Sequence, residues 1–399
     1  RTFHPESGEL DYLRGRILEA LHKPEEALDA YLQAAWTQDA RSRAMTRAAM
    51  VELRLCRWHD ALSHAEEALC QHAHNETAML ARIVALRHLG SPQAEAALAA
   101  AEAFDRLNVT LRALKYGATP ALYATLQSDP CQSALDMAQD LSDLGETALA
   151  AAILGGLPQP CAMAAYVRAF LAGDTAAWAS AGKLPIGIAY PLRPLEHQAL
   201  TAALAANPQD AIALNLLGCL TYHTENYEHA AALWEQAVKA DPAQYMAYRN
   251  LAVAYYSHLG RPEKALPLLE KALALHPDDG QLVWEKGYLM TRLHAAPLDT
   301  AAFLAKSGIT REDVVLEHCR ALNLAGQHAQ VLDLMASRQF VPCEGGEHAV
   351  AEQYMFAHHA LGRKAMQAGD LQSALTHFQA AQQLPENLGA GLWNEVLLV

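Results

Sequence analysis

Several features are scarce in this chain of 399 residues. Aromatic side chains account for 7% of the sequence and charged side chains for 19%, while 52% of the residues are hydrophobic. Alanine and leucine fill much of the remainder, a balance that favours packed helices over sheets rich in β-branched residues. This composition excludes a disordered chain and argues against an all-β fold.

Cysteine clusters and long apolar runs are also missing. Seven cysteines are scattered along the chain without a Cys-x-x-Cys pair, so we expect no disulfide framework and a reducing, cytoplasmic location. The longest apolar run, at residues 147–157, is too short to span a bilayer, and the first residues carry no signal-peptide pattern. The sequence therefore predicts a soluble cytoplasmic protein.

Motifs for catalysis and for polyanion binding are absent as well. The net charge is −14, and no polybasic run is present, so we expect neither nucleic acid nor an anionic membrane as partner. Phosphate-binding, dinucleotide-binding and Gly-x-Ser-x-Gly signatures are missing, and the 19 histidines lack the spacing of a zinc site. We therefore predict no cofactor, no metal and no catalytic residue in this chain.

What the chain does contain is an internal repeat of small residues. One small residue is followed by another about twelve positions later and by a third seven positions after that. The sets are Gly15, Ala27, Ala34; Ala49, Ala61, Ala68; Gly218, Ala230, Ala237; Ala252, Ala265, Ala272; and Gly362, Ala374, Ala381. Small side chains allow two helices to approach closely, so each set predicts a helical hairpin.

Turn and packing signals accompany each set. Turn residues such as 224–226, 259–262 and 368–370 separate the first two small residues, and Gly326 takes the same place in a weaker unit at 312–342. A large apolar residue follows in the second helix, as at Tyr31, Trp234, Leu269 and Phe378, and a proline ends that helix.

This pattern resembles the tetratricopeptide repeat (TPR), whose period is about 34 residues. The resemblance is strong over residues 8–75 and 211–278, good over 355–386 and degenerate between them. We therefore expect an all-α, TPR-like α-solenoid with degenerate repeats in the middle. Its predicted regions are N-terminal repeats at 1–108, degenerate repeats with a Pro-rich connector at 109–200, and a C-terminal superhelix at 201–399.

Five segments carry a closer resemblance to a family of large bacterial proteins with an N-terminal β-rich domain of unknown function and a C-terminal TPR half. They are Tyr-Pro-Leu-Arg-Pro-Leu-Glu (190–196), Tyr-Arg-Asn-Leu-Ala-Val-Ala-Tyr-Tyr (248–256), Phe-Val-Pro (340–342), Glu-Gly-Gly-Glu (344–347) and Leu-Pro-Glu-Asn-Leu-Gly (384–389). The resemblance implies that this chain is the helical half of a bigger protein. The first residue, Arg1, agrees with a fragment.

Candidate binding residues follow from the TPR register, which places particular positions of the first helix on the concave face. The C-terminal candidates are Asn215, Tyr222, Arg249, Tyr256, Trp284 and Tyr288, followed by Arg292. An arginine flanked by aromatic residues is suited to hold a carboxylate or to stack on a planar or sugar-like face. The alternative is that these aromatic residues only fill gaps between hairpins.

A second set of candidates comprises the arginines Arg16, Arg43, Arg54 and Arg87 of the N-terminal repeats. On one face they would form a positive groove for an acidic peptide or partner domain. The alternative is a solvated face whose arginines pair with glutamates such as Glu19 and Glu52.

The segment Glu344, Gly345, Gly346 and Glu347 exceeds what a short TPR linker needs, so we predict that it docks a neighbouring domain; an ordinary solvated loop is the alternative. Two functions remain open. The chain is a scaffold that binds a peptide, a partner protein or its own missing domain, or it is the helical accessory half of a bacterial carbohydrate-active enzyme whose catalytic domain lies outside it.

Overall fold

The computed structural model describes residues 8–126, 129–187, 190–341 and 347–389. The regular structure within those ranges is helical, with 23 α-helices and no strand. This confirms the predicted all-α, TPR-like fold. The chain divides into two compact units, Arg1–His223 and Thr224–Val399. The finer division into three regions stays a prediction.

The first unit consists of fourteen α-helices in the described part of the chain. They are α1 (Glu9–Ala20), α2 (Pro24–Ala34), α3 (Arg41–Arg54), α4 (Trp58–Gln71), α5 (Glu76–His88), α6 (Ala94–Phe104), α7 (Val109–Tyr116), α8 (Pro120–Tyr123), α9 (Pro130–Asp143), α10 (Thr147–Gly155), α11 (Ala162–Ala172), α12 (Trp178–Ala181), α13 (Pro194–Ala206) and α14 (Ala211–His223). Most neighbouring helices in the described part pack against each other, most extensively α1 with α2 and α3 with α4.

Nine α-helices of the second unit are described. They are α15 (Tyr227–Ala240), α16 (Tyr245–Ser257), α17 (Pro262–Leu275), α18 (Gly280–Arg292), α19 (Pro297–Ser307), α20 (Glu312–Leu324), α21 (His328–Ala336), α22 (Glu347–Gln367) and α23 (Leu371–Ala381). Helices two apart in the chain also touch: α18 contacts α20, and α20 contacts α22. The first helices of successive hairpins therefore share one surface.

The predicted small residues lie where helices pack together. All of them are buried except Ala381, which is partly exposed. A Cβ placed on Gly15 of α1 would lie 2.5 Å from Cε1 of Tyr31 in α2, and a Cβ on Gly362 of α22 would lie 2.8 Å from Cε1 of Phe378 in α23. The large apolar residue of the second helix thus occupies the space left by the small residue of the first. The predicted hairpin packing is confirmed at both positions.

The turns follow the sequence signals closely. Gly326 separates α20 from α21 with a φ of +74°, and Gly369 separates α22 from α23 with a φ of +80°. Glycine adopts this left-handed conformation without the steric cost that a Cβ imposes. After Gly369, the carboxylate of Asp370 accepts a hydrogen bond of 3.0 Å from the backbone N–H of Ser373 and caps α23.

One expectation about the cysteines is wrong. Cys131 and Cys161 form a disulfide across a sequence separation of 30 residues. The separation is close to one repeat period, and α10 packs against both α9 and α11, so the starts of α9 and α11 come together. Spacing alone did not reveal this pair. Because disulfides persist mainly in oxidising compartments, the cysteine argument for a reducing cytoplasm no longer holds.

The helices offer no candidate for a bilayer crossing within the described ranges, since none combines sufficient length with sufficient apolarity.

Candidate functional site

Three aromatic side chains from two helices come together in the second unit. Trp284 and Tyr288 of α18 stack with their ring centroids 5.5 Å apart and an angle of 18° between the ring planes. Tyr256 of α16 meets Tyr288 edge-on at 5.9 Å and 90°. All three rings are partly exposed. We call Tyr256, Trp284, Tyr288 and the neighbouring Arg292 the aromatic face.

Arg292 extends this face by one helical turn. Its guanidinium lies 5.1 Å from the centroid of the Tyr288 ring and donates a hydrogen bond of 2.9 Å to the Tyr288 hydroxyl oxygen. Trp284, Tyr288 and Arg292 are spaced four residues apart, so they form a single stripe along α18. The stripe presents an exposed cation beside stacked aromatic rings. Arginine, tryptophan and tyrosine are the residue types that are enriched at the hot spots of protein interfaces.

The two phenols of this face influence each other's ionisation. Burial raises the pKa of Tyr256 to about 12, and the hydrogen bond from its hydroxyl to Tyr288 adds to the rise. The same hydrogen bond, together with the guanidinium of Arg292, lowers the pKa of Tyr288. Tyr288 therefore acts as the hydrogen-bond acceptor within the face.

Arg249 is held beside this face by a carboxylate. Its Nε and Nη2 donate to Glu285 of α18 over 3.0 and 2.6 Å, and the side chain of Gln281 donates to the same carboxylate over 2.8 Å. The side chain of Glu285 is 11% exposed. Arg249 thus joins α16 to α18, and its planar guanidinium is already matched by a carboxylate.

Helix α20 also contributes a carboxylate that is held by neighbouring donors, and the sequence analysis missed it. Glu317 of α20 is buried, accepts a hydrogen bond of 2.7 Å from Thr291 Oγ1 and forms an ion pair of 3.2 Å with Arg320. A signal was available, because the pair Arg249 and Glu285 is separated by 36 residues, close to one repeat. Searching for opposite charges at this spacing would have made Glu285 a candidate partner of Arg249, although spacing does not show that the two side chains meet.

The two remaining C-terminal candidates lie on α14, the last helix of the first unit. Asn215 is buried and Tyr222 is partly exposed. Binding at all six C-terminal candidates stays a prediction. The structure brings Tyr256, Trp284 and Tyr288 into contact and places Arg249 two turns before Tyr256 on α16.

Three of the four N-terminal arginines engage acceptors within the first unit. Arg43 pairs with Glu9 and lies over the Tyr12 ring at 4.7 Å. Arg54 pairs with Glu19 and donates to the carbonyl of Asp143 over 2.8 Å.

Arg87 donates to the carbonyl of Leu114 over 2.6 Å and forms an ion pair of 3.2 Å with Glu95. Arg16 is exposed on α1. A ligand-binding role for these four arginines stays a prediction.

Glu19, which the sequence analysis named as an alternative partner of these arginines, is the centre of a larger network. It accepts hydrogen bonds from Arg47 over 2.7 to 3.0 Å, and also from Arg54 and the Tyr31 hydroxyl. Burial opposes its ionisation, but Arg47, Arg54 and the hydrogen bonds outweigh burial and lower the pKa of Glu19. Since Glu19 and Arg47 belong to α1 and α3, the network joins adjacent hairpins.

The predicted docking residues Glu344, Gly345 and Gly346 lie outside the described residues. Glu347 begins α22, and its side chain also lies outside them. Two other segments of the closer resemblance meet in the second unit. The N–H of Phe340 donates to the carbonyl of Asn387 over 2.8 Å, and Asn387 Nδ2 donates to the carbonyls of Met335 and Arg338 over 3.0 and 2.9 Å.

Metal-binding geometry is not found in the described ranges: no three His, Cys, Asp or Glu residues cluster there. Two histidines do meet, because Nδ1 of His358 lies 3.0 Å from Nδ1 of His377, but no third metal-binding side chain joins them within the described ranges.

Comparison with known proteins agrees with the repeats. Residues 222–280 match the tetratricopeptide repeat family. A curated relative, Protein STIP1 homolog from Dictyostelium discoideum, is 30% identical over 86 residues, which are 22% of this chain and 14% of that protein. The chain therefore matches about one seventh of the relative's length. With the confirmed hairpins, the family match supports the all-α, TPR-like fold.

Several solved structures are similar to this chain. The crystal structure of YrrB, a TPR protein with an unusual peptide-binding site, is 20% identical with a TM-score of 0.37, over 50% of this chain and 97% of YrrB. Yeast Tom70 is 13% identical with a TM-score of 0.31, over 98% of this chain and 95% of Tom70. PilF of Pseudomonas aeruginosa is 18% identical with a TM-score of 0.35, over 54% and 88% of the two chains.

Proposed function

We propose that this chain is a protein-interaction scaffold that binds a peptide or a segment of a partner protein on the aromatic face. The observation that carries the proposal is the contact of Tyr256, Trp284 and Tyr288 beside the exposed guanidinium of Arg292. Tyrosine, tryptophan and arginine dominate binding hot spots because they offer large contact areas and paired donors. Stacks of helical hairpins provide extended surfaces of this kind.

The aromatic face is a better candidate than the N-terminal arginine groove. Arg43, Arg54 and Arg87 already use their guanidinium groups on acceptors of the first unit, so an acidic ligand would have to displace those contacts. Arg292 instead donates to the Tyr288 hydroxyl, forms no ion pair within the described ranges, and retains further N–H donors for a ligand carboxylate. An acidic segment with a planar or apolar side chain therefore suits this face.

A direct test starts with peptides selected from a random display library against the purified chain. Affinities of the selected peptides are then measured by fluorescence anisotropy for Trp284→Ala, Tyr288→Ala and Arg292→Gln. We expect losses of about tenfold or more, equivalent to about 1.4 kcal/mol, for at least the two aromatic variants. The matched control is Trp36→Ala, which removes a tryptophan that is 86% exposed in the first unit. Equal affinities for all variants would refute the proposal.

The stacked pair Trp284 and Tyr288 also favours a second candidate, in which the face stacks on a sugar ring of a carbohydrate substrate. Titration with an oligosaccharide panel, followed through tryptophan fluorescence, separates the two. Quenching that is lost in Trp284→Ala would favour the accessory half of a carbohydrate-active enzyme. A bacterial origin, a cytoplasmic location and a β-rich domain as partner stay predictions of the sequence.

A further inference from the structure

A second groove lies elsewhere in the second unit, between α15, α16 and α17. Its volume is about 610 Å³, within the roughly 300–1,000 Å³ typical of ligand sites. The groove and the aromatic face use different sides of α16. Tyr248, Leu251 and Tyr255 line the groove, whereas Arg249 and Tyr256 contact α18.

The floor of the groove is apolar. Tyr248, Leu251 and Tyr255 are each no more than 7% exposed, and they are flanked by Val238 of α15 and Leu268 of α17. An apolar side chain of a ligand placed here would bury its own surface against this floor. Burial of such surface contributes about 25 cal/mol per Å².

Three lysines surround this floor: Lys239 of α15 and Lys264 and Lys271 of α17. Lys264 Nζ lies 5.6 Å from the Tyr255 ring centroid, and Lys271 Nζ lies 5.5 Å from that of Tyr248. Over the described ranges, no ion pair joins any of the three to a carboxylate, whereas nearby Lys286 pairs with Glu270 at 3.2 Å. In a chain with a net charge of −14, three lysines that surround one groove and form no ion pair within the described ranges indicate a negatively charged ligand.

Two glutamates at the same groove limit the charge density of that ligand. Glu235 accepts a hydrogen bond from the Tyr255 hydroxyl, and Glu263 lies in the first turn of α17. Both carboxylates would repel a polyphosphate, which carries a charge at every unit. Pro267, inside α17, has no N–H, so the carbonyl of Glu263 lacks its usual helical donor and can accept from a ligand backbone.

We propose that this groove binds an acidic peptide segment that places one large apolar side chain on the Tyr248 and Leu251 floor. Its carboxylates pair with Lys239, Lys264 and Lys271. The site is independent of the aromatic face and goes beyond the function proposed above, because it gives the second unit a separate binding surface for a partner of stated chemistry.

The test uses fluorescein-labelled dodecapeptides that carry three spaced aspartates or glutamates among serines and one central phenylalanine, tryptophan or leucine, measured by anisotropy with the full chain. Matched probes replace the carboxylates by amides or the apolar residue by serine. The test variant is Lys239→Gln/Lys264→Gln/Lys271→Gln, and its partner is the triple Lys→Arg variant at the same positions. Lys286→Gln removes a lysine of the same unit outside the groove. The three lysines are exposed, so thermal midpoints should not change.

We expect at least one acidic peptide to bind, with affinity about tenfold or more weaker for the glutamine triple variant and restored in the arginine variant. Binding should also weaken with the amide probe, with the serine probe and with rising salt, since exposed charges are screened over about 8 Å at physiological ionic strength. The loss in the glutamine triple variant should also be found in a Trp284→Ala background, which separates this groove from the aromatic face. No binding by any acidic peptide, equal binding by the amide probe, or preferential binding of a single-stranded oligonucleotide would overturn the proposal.

Discussion

Gly15 and Tyr31 pack so closely that no side chain fits between them. A Cβ on Gly15 would approach three atoms of the Tyr31 ring at 2.5 to 2.8 Å, well below the 3.0 Å that real Cβ contacts respect. Gly287 has the same relationship to Leu304, whose Cδ2 would lie 2.7 Å away. The small residue of the first helix and the large one of the second are therefore a matched pair in hairpins of both units.

Enlarging Gly15 should destabilise the first hairpin. We expect Gly15→Leu to lower the free energy of unfolding by about 1–3 kcal/mol, because overpacking forces side chains off their rotamers and moves the backbone. Urea denaturation measures the loss. Ala20→Leu, exposed at the end of the same helix, is the control and should change stability by less than about 0.5 kcal/mol. Unchanged stability of Gly15→Leu would contradict the hairpin packing.

Neutralising Glu19 should weaken the junction between α1 and α3. Glu19→Gln leaves Arg47 and Arg54 without their carboxylate, and we expect a loss of about 1–3 kcal/mol at neutral pH. The folded-state pKa of Glu19 lies below the ordinary 4.5, so its contribution is present above pH 4.5 and is lost as the pH falls through the folded value. The difference between wild type and variant should therefore shrink in acid.

The control for this variant is Glu25→Gln. Glu25 pairs with Arg57 at the surface, where its side chain is 62% exposed, so its removal should cost at most about 1 kcal/mol. Equal losses of unfolding free energy for Glu19→Gln and Glu25→Gln would show that the buried network stabilises the fold no more than an exposed ion pair does.

His64 should make stability depend on pH in the opposite direction. Its Nδ1 lies 2.8 Å from Oε2 of buried Glu52, and this hydrogen bond raises the pKa of His64 above 6.5. A raised folded-state pKa adds stability that is complete below pH 6.5 and disappears as the pH rises through the folded value.

We expect His64→Gln to cost about 1.5–3 kcal/mol in mildly acidic solution and clearly less in alkaline solution. Thermal unfolding at a series of pH values measures this. The exposed His59 of the same helix supplies the control variant His59→Gln. A cost for His64→Gln that does not vary with pH would argue against the charged hydrogen bond.

The disulfide between Cys131 and Cys161 should stabilise the first unit. The double variant Cys131→Ser/Cys161→Ser lacks the covalent loop that restricts the unfolded chain. We therefore expect its free energy of unfolding to fall by about 2–4 kcal/mol. Thiol titration of the denatured proteins should detect five thiols in the unreduced wild type and five in the double variant. After reduction, the wild type should show seven. Reductant should destabilise the wild type but not the double variant. Seven reactive thiols before reduction would refute the bond.

The hairpins could be predicted from the sequence because their packing depends on local spacing. Gly15, Tyr31, Gly326 and Gly369 occupy their positions through the repeat alone, and the structure places each as expected. Cys131 and Cys161 were missed because their pairing depends on how α9, α10 and α11 pack, which the degenerate repeats of that region do not reveal.

The candidate site was predictable only in part. The register of first-helix positions placed Trp284, Tyr288 and Tyr256 in one candidate set, and the structure brings their rings into contact, since residues four apart share one side of a helix and successive first helices touch. It did not show that Glu285 already holds Arg249 or that Glu9 engages Arg43, although the alternative interpretation had named Glu19, which pairs with Arg54. Ion pairs between repeats depend on side-chain reach, which spacing does not specify.

The disulfide also sets how far this chain can be extended by force. A covalent link between Cys131 and Cys161 shields the 30-residue separation between them from tension applied at the two ends. An extended chain spans about 3.3–3.6 Å per residue, so the oxidised protein should reach a contour length roughly 100 Å shorter than the reduced one. In a pulling experiment α9 and α10, which lie between the two cysteines, would then carry no tension while α11 unravels, and only a reductant would release the hidden length.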